Sequence, residues 1–164
     1  MDPRDPLLVA SEPGFGIATL GPTVLLVWRE RPTLAGVHAV REVMTRLSGL
    51  HEDGIALLVV LERHAALPDA PVRDAMISAV RSVGHKLLAM VALHEHTGFA
   101  AAAVRSVVVG LAFVTRALPL SVAVTEIEAC KRLSAELSRR GHPTTSGPLL
   151  SALRGLRAST PTSF

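Results

Sequence analysis

Ile55-Ala-Leu-Leu-Val-Val-Leu61 is the stretch that decides the fold class, and the polar triplet Glu62-Arg63-His64 follows it directly. Seven apolar residues in succession, rich in β-branched and leucine side chains, predict a strand that is buried on both faces. Such a strand needs helices above and below it. The stretch therefore predicts an α/β domain, and the triplet lies where open α/β sheets usually place a binding crevice.

The length and charge of the chain suit one domain with a nearly neutral body. The chain has 164 residues, of which 49% are hydrophobic and only 3% aromatic. The formal net charge is +3, and the four arginines of residues 139–164, where no acidic residue occurs, supply more than all of it. A nucleic-acid-binding protein more often combines a basic face with aromatic side chains that stack on bases. We therefore expect no nucleic-acid partner.

The single cysteine and the length of the apolar runs indicate the cellular compartment that we expect for the protein. Cys130 has no partner for a disulfide or a Cys-x-x-Cys motif, and its place in a helical pattern predicts a packing role. The apolar run at residues 7–10 is too short for the core of a signal peptide. Arg105, Ser106 and Arg116 interrupt the longest apolar segment, 99–118, so no run reaches the ~20 residues of a spanning helix. We expect a cytoplasmic protein with no membrane span and no cofactor.

Helices and strands alternate along most of the chain. Residues 1–13 contain Pro3, Pro6 and Pro13 and are predicted to be irregular. Segments 16–20 and 23–30 predict an antiparallel hairpin. Beyond it, helices are predicted at 33–50, 69–83, 99–117 and 125–140, and strands at 55–61, 86–93 and 118–124. With right-handed crossovers, the expected fold is α/β, with a mixed, mostly parallel sheet, an antiparallel edge hairpin and the order β-β-α-β-α-β-α-β-α.

The expected single domain spans residues 14–141, and residues 142–164 are expected to form a basic tail rich in Ser, Thr and Pro. In the last helix of the domain, the spacing predicts an inward face made of Ile127, Cys130, Leu133 and Leu137. In the tail, a helical spacing with arginines in between relates Leu149, Leu150, Leu153 and Leu156. This amphipathic segment either binds a partner or a membrane surface, or docks on the third helix of the chain.

The arrangement of residues 14–140 resembles the STAS family, the anti-anti-sigma-factor-like domains. The features that carry the resemblance are the opening hairpin, the buried strand Ile55–Leu61, the segment 67–83 and a strand that leads into an apolar helix. The resemblance implies a non-enzymatic protein-interaction module. It also implies a phosphorylated Ser or Thr where the second helix begins, but Pro68-Asp69-Ala70-Pro71-Val72 has alanine there. Regulation by phosphorylation at that position is therefore not expected.

Polar residues follow each of the predicted parallel strands, and these ends share one edge of the sheet. They include Glu30-Arg31, Glu62-Arg63-His64, His94-Glu95-His96 and Thr125-Glu126. Two interpretations stay open. The imidazoles of His64, His94 and His96, with Glu62 or Glu95, could form a small-ligand or metal site, or serve an enzyme of unknown reaction. Alternatively, these are the polar ends at which any buried strand must finish.

The third helix is apolar around most of its circumference, so it is either buried or part of an interface. The candidate interaction residues are Phe99, Val107, Val108 and Val114, together with Asp69 at the start of the second helix. The alternative is that the tail covers this helix. The function expected from the sequence is a non-enzymatic interaction or regulatory module that binds a protein partner or a second copy of itself.

Overall fold

The computed structural model describes residues 5–114 and 120–162, and of residues 111–114 it describes the backbone alone. Within these residues the strands are β1 (Leu7–Glu12), β2 (Phe15–Leu20), β3 (Thr23–Trp28), β4 (Ile55–Leu61), β5 (Leu87–His94) and β6 (Leu120–Ala123). The helices are α1 (Leu34–Leu50), α2 (Ala70–Ser82), α3 (Gly98–Val114), α4 (Glu126–Arg139) and α5 (Ser146–Ser159).

The six described strands form one sheet in the order β1-β2-β3-β4-β5-β6. β2 pairs antiparallel with both β1 and β3, whereas β3, β4, β5 and β6 pair parallel. These pairings confirm an α/β fold with a mixed sheet. The antiparallel part contains three strands and not the two of the expected hairpin.

The additional strand, β1, lies within residues 1–13, so the prediction of irregular structure is wrong for residues 7–12. Pro6 and Pro13 flank the strand and do not interrupt it, so no residue of β1 lacks its backbone N–H. β1 is an edge of the sheet, and its pairing with β2 shifts register between Leu8 and Ala10. Such bulges are common on edge strands. The prolines therefore mark the ends of an edge strand.

Helices α1, α2 and α3 all lie on one face of the sheet. Each connects a strand to its next parallel neighbour, and right-handed crossovers that advance in one direction place every helix on the same side. On this α1–α3 face, Met44 belongs to the core cluster of α1 and α2, and Val104 packs against Ala92. On the opposite α4–α5 face, Leu133 and Leu153 share one cluster with the strands.

The stretch 55–61 forms β4, with a paired strand on each side. Ile55 and Leu57 contribute to the core of the α1–α3 face, while Ala56 and Leu58 contribute to the core of the α4–α5 face. All four side chains are buried. The prediction of a strand buried on both faces is confirmed.

Three helices begin at residues whose side chains cap them. The caps and the backbone N–H groups that donate to them are Thr33 with Gly36 at 3.2 Å, Asp69 with Val72 at 3.1 Å, and Thr125 with Glu128 at 3.2 Å. Each cap supplies an acceptor to a helical N–H that has no carbonyl partner of its own. Asp69 therefore has a structural role at the start of α2.

The inward face of α4 agrees with the sequence prediction at three positions of four. Cys130, Leu133 and Leu137 are fully buried, but Ile127 is 50% exposed, so the prediction for Ile127 is wrong. An α-helix turns by about 100° per residue. Around the axis of α4, the side chain of Ile127 therefore points roughly 100° away from the mean direction of Leu133 and Leu137. Burial, with a smaller contribution from Glu126, raises the pKa of the Cys130 thiol to about 11. A thiol in this state is a packing group.

Residues 146–159 form the helix α5, which corrects the expectation of a basic tail outside the domain. Leu149, Leu153 and Leu156 are buried in the cluster that α4 forms with the sheet. A side chain at Gly16 of β2 would collide with Thr160, so the end of α5 lies directly on this strand. α5 thus covers the face opposite α3. Its leucines pack on the sheet and on α4 and not on α3, with Leu150 half-buried at the margin of this cluster.

Candidate functional site

The ends of β4, β5 and β6 bring three glutamates together. Glu62 follows β4, and its N–H donates to the carbonyl of Trp28 at 3.0 Å. Glu95 follows β5, and its N–H donates to the carbonyl of Leu61 at 3.1 Å. Glu126 is the first residue of α4, just beyond β6. We call Glu62, Glu95 and Glu126 the carboxylate cluster.

Arg157 of α5 contacts all three members of the carboxylate cluster. Its Nε lies 3.0 Å from Glu62 Oε1, and its Nη1 lies 2.8 Å from Glu95 Oε1 and 2.7 Å from Glu126 Oε1. The side chain of Arg157 is only 23% exposed. Burial opposes its charge, but the hydrogen bonds that it donates to Glu95 and Glu126, together with the charges of Glu95 and Glu62, outweigh burial and raise the pKa of Arg157. The guanidinium thus anchors α5 to three sheet-end carboxylates.

Two further arginines complete the ion-pair network. Arg29, at the end of β3, lies 3.2 Å from Glu62 and also donates to the backbone carbonyl of Arg157. Arg154 of α5 lies 3.1 Å from Glu126, but its side chain is 59% exposed. Three carboxylates therefore meet three guanidinium groups in a part-buried setting. This arrangement satisfies the charges and fixes the position of α5.

The structure brings together only part of the predicted ligand-binding edge. Glu62 and Glu95 meet in the carboxylate cluster, but Arg63 and His64 are exposed on the loop beyond β4. The backbone N–H of Arg63 donates to Glu95 Oε2 at 3.3 Å. Arg63 thus takes part through its backbone, and the sequence prediction of a shared site does not hold for His64.

His94 and His96 lie on the other side of the same edge. Their ring centroids are 6.5 Å apart, and His96 Nε2 donates to the carbonyl of Ala65 at 2.8 Å. His94 is only 2% exposed, and neither of its ring nitrogens has a hydrogen-bond partner among the described residues. Burial, reinforced by the charge of Arg105 on α3, lowers the pKa of His94. The neutral imidazole is therefore the favoured form in the folded protein.

The histidines do not form the metal site that the sequence left open. Among residues 5–114 and 120–162, no group of three or more His, Cys, Asp or Glu side chains is placed to hold a metal ion. His96 Nε2 is already used by a backbone carbonyl, and His64 is on the exposed loop. His94 and His96 are thus neighbours, but they differ in environment, and His64 does not join them.

Sequence reasoning assigned Arg157 to the tail and missed its role. Arg157 directly follows Leu156, whose side chain is buried, so the helical pattern puts the arginine at the margin of the inward face. An arginine at such a margin can extend along an apolar surface and place its guanidinium on polar groups. The pattern around Leu153 and Leu156 was the available signal. Its carboxylate partners could not be deduced from it.

The outer surface of α3 is the second candidate site. Ala101, Val104 and Val108 are buried on its inner side, yet Phe99 is 97% exposed and Val109 is 66% exposed on its outer side. No described helix, α3 included, is long and apolar enough to cross a membrane. Large exposed apolar residues on a helix are typical of a binding surface.

A groove of about 700 Å³ runs between α2 and α3. Its lining combines an apolar wall with a charged rim and consists of Leu67, Pro68, Arg73, Asp74, Met76, Ile77, Ala103, Ser106, Val107 and Gly110. Ala103 is one helical turn after Phe99, so Phe99 continues the stripe of α3 that lines the groove, although its ring is not part of the lining. We call the groove together with Phe99 the α2–α3 surface.

The other predicted interaction residues divide between surface and core. Val107 is half-buried and lines the groove, as an interaction residue should. Val108 is 8% exposed and packs with Ala92 and Val104, so it is a core residue and not a surface one. Asp69 is exposed but caps α2. The side chain of Val114 lies outside the described residues.

Comparisons of the chain with protein-family models, with curated proteins and with solved structures found no match. The resemblance to the STAS family accordingly stays a prediction from the sequence. Function has to be inferred from the carboxylate cluster, from His94 and from the α2–α3 surface.

Proposed function

We propose that the chain is a non-enzymatic interaction module of the kind that the STAS resemblance implies, and that its α2–α3 surface binds a second copy of the chain. The observation that carries the proposal is Phe99, a large aromatic side chain that is 97% exposed beside an open groove. Isolated exposed leucines are ordinary on protein surfaces, but an exposed ring next to an apolar concavity favours association.

A second copy fits this surface because the surface complements itself. Under two-fold symmetry, each copy contributes the same patch, so a protruding group and its receptor must both lie on that patch. Phe99 is the protruding group, and the walls made by Met76, Ile77 and Val107 are the receptor. The rim carries one basic and one acidic residue, Arg73 and Asp74. The symmetry allows Arg73 of one copy to pair with Asp74 of the other.

The expected affinity is modest. Burial of one phenylalanine contributes about 1.5–3 kcal/mol, so two copies of Phe99 contribute about 3–6 kcal/mol. A dissociation constant of 1 μM corresponds to about 8 kcal/mol, after association entropy has been overcome. The groove walls must supply the remainder. We therefore expect a dimer that dissociates in the micromolar range.

The carboxylate cluster favours a binding role over an acid–base reaction at the sheet edge. Glu62, Glu95 and Glu126 are held by Arg157, and Glu62 is also held by Arg29. A catalytic carboxylate has to face a substrate with at least one oxygen in reach of a proton. Here the observed partners of the carboxylates are guanidinium groups of the same chain and the backbone N–H of Arg63, which suits a structural role.

Sedimentation equilibrium of the full chain between about 1 and 100 μM tests the proposal. We expect a monomer–dimer equilibrium for the native chain and a monomer for Phe99→Glu, because a carboxylate cannot enter the apolar groove. Leu50→Glu is the matched control, since Leu50 is also a large exposed side chain (72%) but lies at the end of α1. It should dimerise like the native chain.

Charge reversal sharpens the test. Arg73→Asp and Asp74→Arg should each weaken the dimer about tenfold, and the double variant should restore it because the pairs are reversed together. A native chain that stays monomeric throughout the range contradicts the proposal. So does a dimer that Phe99→Glu leaves intact.

A further inference from the structure

We propose that a cavity between the sheet and helices α1, α2 and α3 binds a small, uncharged, apolar molecule of about the size of benzene. This inference goes beyond the proposed dimer and does not depend on it. The cavity has a volume of about 100 Å³ and lies beneath the α2–α3 surface. Residues from three strands and three helices line it, among them Trp28, Met44, Leu61, Met76, Met90 and Val104.

The size and the lining of the cavity together define the ligand. Protein interiors are close-packed, and few of their voids exceed the volume of one water molecule. An apolar void does not hold water well, because a buried water needs two to four polar partners. An engineered apolar cavity of about 150 Å³ binds benzene, and this cavity has about two thirds of that volume. An apolar ring or a short branched chain is therefore the chemistry that fits.

The lining excludes a charged ligand. Every lining residue is apolar, and the indole N–H of Trp28 is the one side-chain N–H or O–H group among them. Trp28 is 1% exposed, and this N–H has no hydrogen-bond partner among the described residues. A ligand with an ionised group would lose its hydration without compensation. A ligand with a single neutral acceptor, such as a small ketone, remains compatible with the N–H of Trp28.

The cavity has adaptable walls and a short path to the surface. Met44, Met76 and Met90 all line it, and methionine side chains adjust to different ligand shapes at low cost. Leu67, Pro68, Met76 and Val107 line both the cavity and the α2–α3 groove. The two spaces therefore adjoin, and because the cavity is partly open, a ligand can enter it from the side of the groove.

The fluorescence of Trp28 offers a direct test, since Trp28 is the only tryptophan of the chain. We expect iodobenzene, a heavy-atom quencher, to quench this fluorescence in a saturable way, and benzene to compete with it. Benzene should also raise the melting temperature of the native chain, because it binds the folded state alone. Quenching that rises linearly with iodobenzene up to its solubility, with no competition, overturns the proposal.

A filled cavity provides the matched variant. Ala79 lines the cavity and is 3% exposed, so Ala79→Leu should occupy the space and weaken iodobenzene binding at least tenfold. Ala158→Leu makes the same change on the exposed side of α5 and should bind like the native chain. If Ala79→Leu does not fold, Val104→Leu adds one methylene to the wall and should weaken binding about threefold. Unchanged binding in the folded variant of the two overturns the proposal.

Phe99→Glu separates this inference from the proposed dimer. The exposed ring of Phe99 is absent from the cavity wall, so the variant should bind iodobenzene as the native chain does, even as a monomer. Loss of binding in Phe99→Glu contradicts a site within one copy of the chain. A native chain that is monomeric but binds iodobenzene contradicts the dimer and supports the cavity.

Discussion

On the α4–α5 face, Leu133, Leu137, Leu149 and Leu153 are all fully buried, whereas on the α1–α3 face Phe99 is 97% exposed and a cavity of about 100 Å³ remains beneath the helices. Both faces belong to the same sheet, and both are covered by helices of 13–17 residues. The difference lies in how the helices are held. Arg157 ties α5 to three sheet-end carboxylates, while α3 exposes Phe99 and Val109 on its outer side.

The comparison of the two faces of the sheet indicates a different role for each. The α4–α5 face contributes stability through its fully buried leucines, because each buried leucine contributes about 1.5–3 kcal/mol. Its own pocket, of about 300 Å³, lies between β5, β6 and α4 and has the charged side chains of Arg132, Glu136 and Arg139 in its lining. A face with a void and an exposed aromatic ring gives up part of that stability and leaves room for a ligand or a partner. We infer that the α4–α5 face is the structural face and the α1–α3 face the binding face.

The largest expected effect is the truncation of a leucine on the α4–α5 face. Leu153→Ala should lower the free energy of unfolding by about 3–5 kcal/mol, because it removes a fully buried side chain and leaves a cavity in close packing. Urea denaturation followed by circular dichroism measures this change.

The matched truncation on the α1–α3 face is Leu67→Ala. Leu67 is half-buried at the wall shared by the cavity and the groove, so its loss should cost only about 1 kcal/mol. Equal losses for Leu153→Ala and Leu67→Ala would mean that the two faces are packed alike, and the comparison would fail.

The next prediction concerns Arg157, the side chain that anchors α5 to the carboxylate cluster. Arg157→Met should lower the free energy of unfolding by about 2–3 kcal/mol, because three part-buried carboxylates lose the guanidinium that they share. Arg154→Met is the control on the same helix, since this side chain is 59% exposed and contacts only Glu126. An exposed ion pair contributes about 0–1 kcal/mol. A loss for Arg157→Met no larger than that for Arg154→Met would show that the network does not hold α5.

The predictions from sequence succeeded where a local pattern decides the structure. The unbroken apolar run of β4 requires cover on both faces, and the parallel order that follows places Glu62 and Glu95 at one edge. The helix starts predicted at Thr33, Asp69 and Thr125 are likewise local, because the side chain of each accepts a hydrogen bond from a backbone N–H three positions further on. These parts of the fold and of the site need no knowledge of distant contacts.

The predictions failed where a distant contact decides. Glu62 and Arg157 are 95 positions apart, and they meet only because α5 returns across the α4–α5 face. The spacing of Leu149, Leu153 and Leu156 predicts an amphipathic helix but not the surface that receives it. The same limit applies to the cavity, since its volume depends on how α1, α2 and α3 settle on the sheet. No single segment contains that information.

The smallest expected effect concerns His94, whose side chain lies on the α1–α3 side of β5 like that of Ala92 two residues before it. Burial and Arg105 lower the pKa of His94 from its ordinary value of 6.5.

Above pH 6.5 the imidazole is neutral in both the folded and the unfolded chain, so His94 makes its full contribution to the free energy of unfolding there. As the pH falls below 6.5, the unfolded chain takes up the proton first, and stability falls until the folded pKa is reached. The slope is at most about 1.4 kcal/mol per pH unit. Urea denaturation at pH 7.5 and 5.5 should therefore show a smaller acid loss of unfolding free energy in His94→Leu than in the native chain, with His64→Leu, on the exposed loop, as the control. An acid loss that His94→Leu does not reduce would assign the pH dependence to other groups.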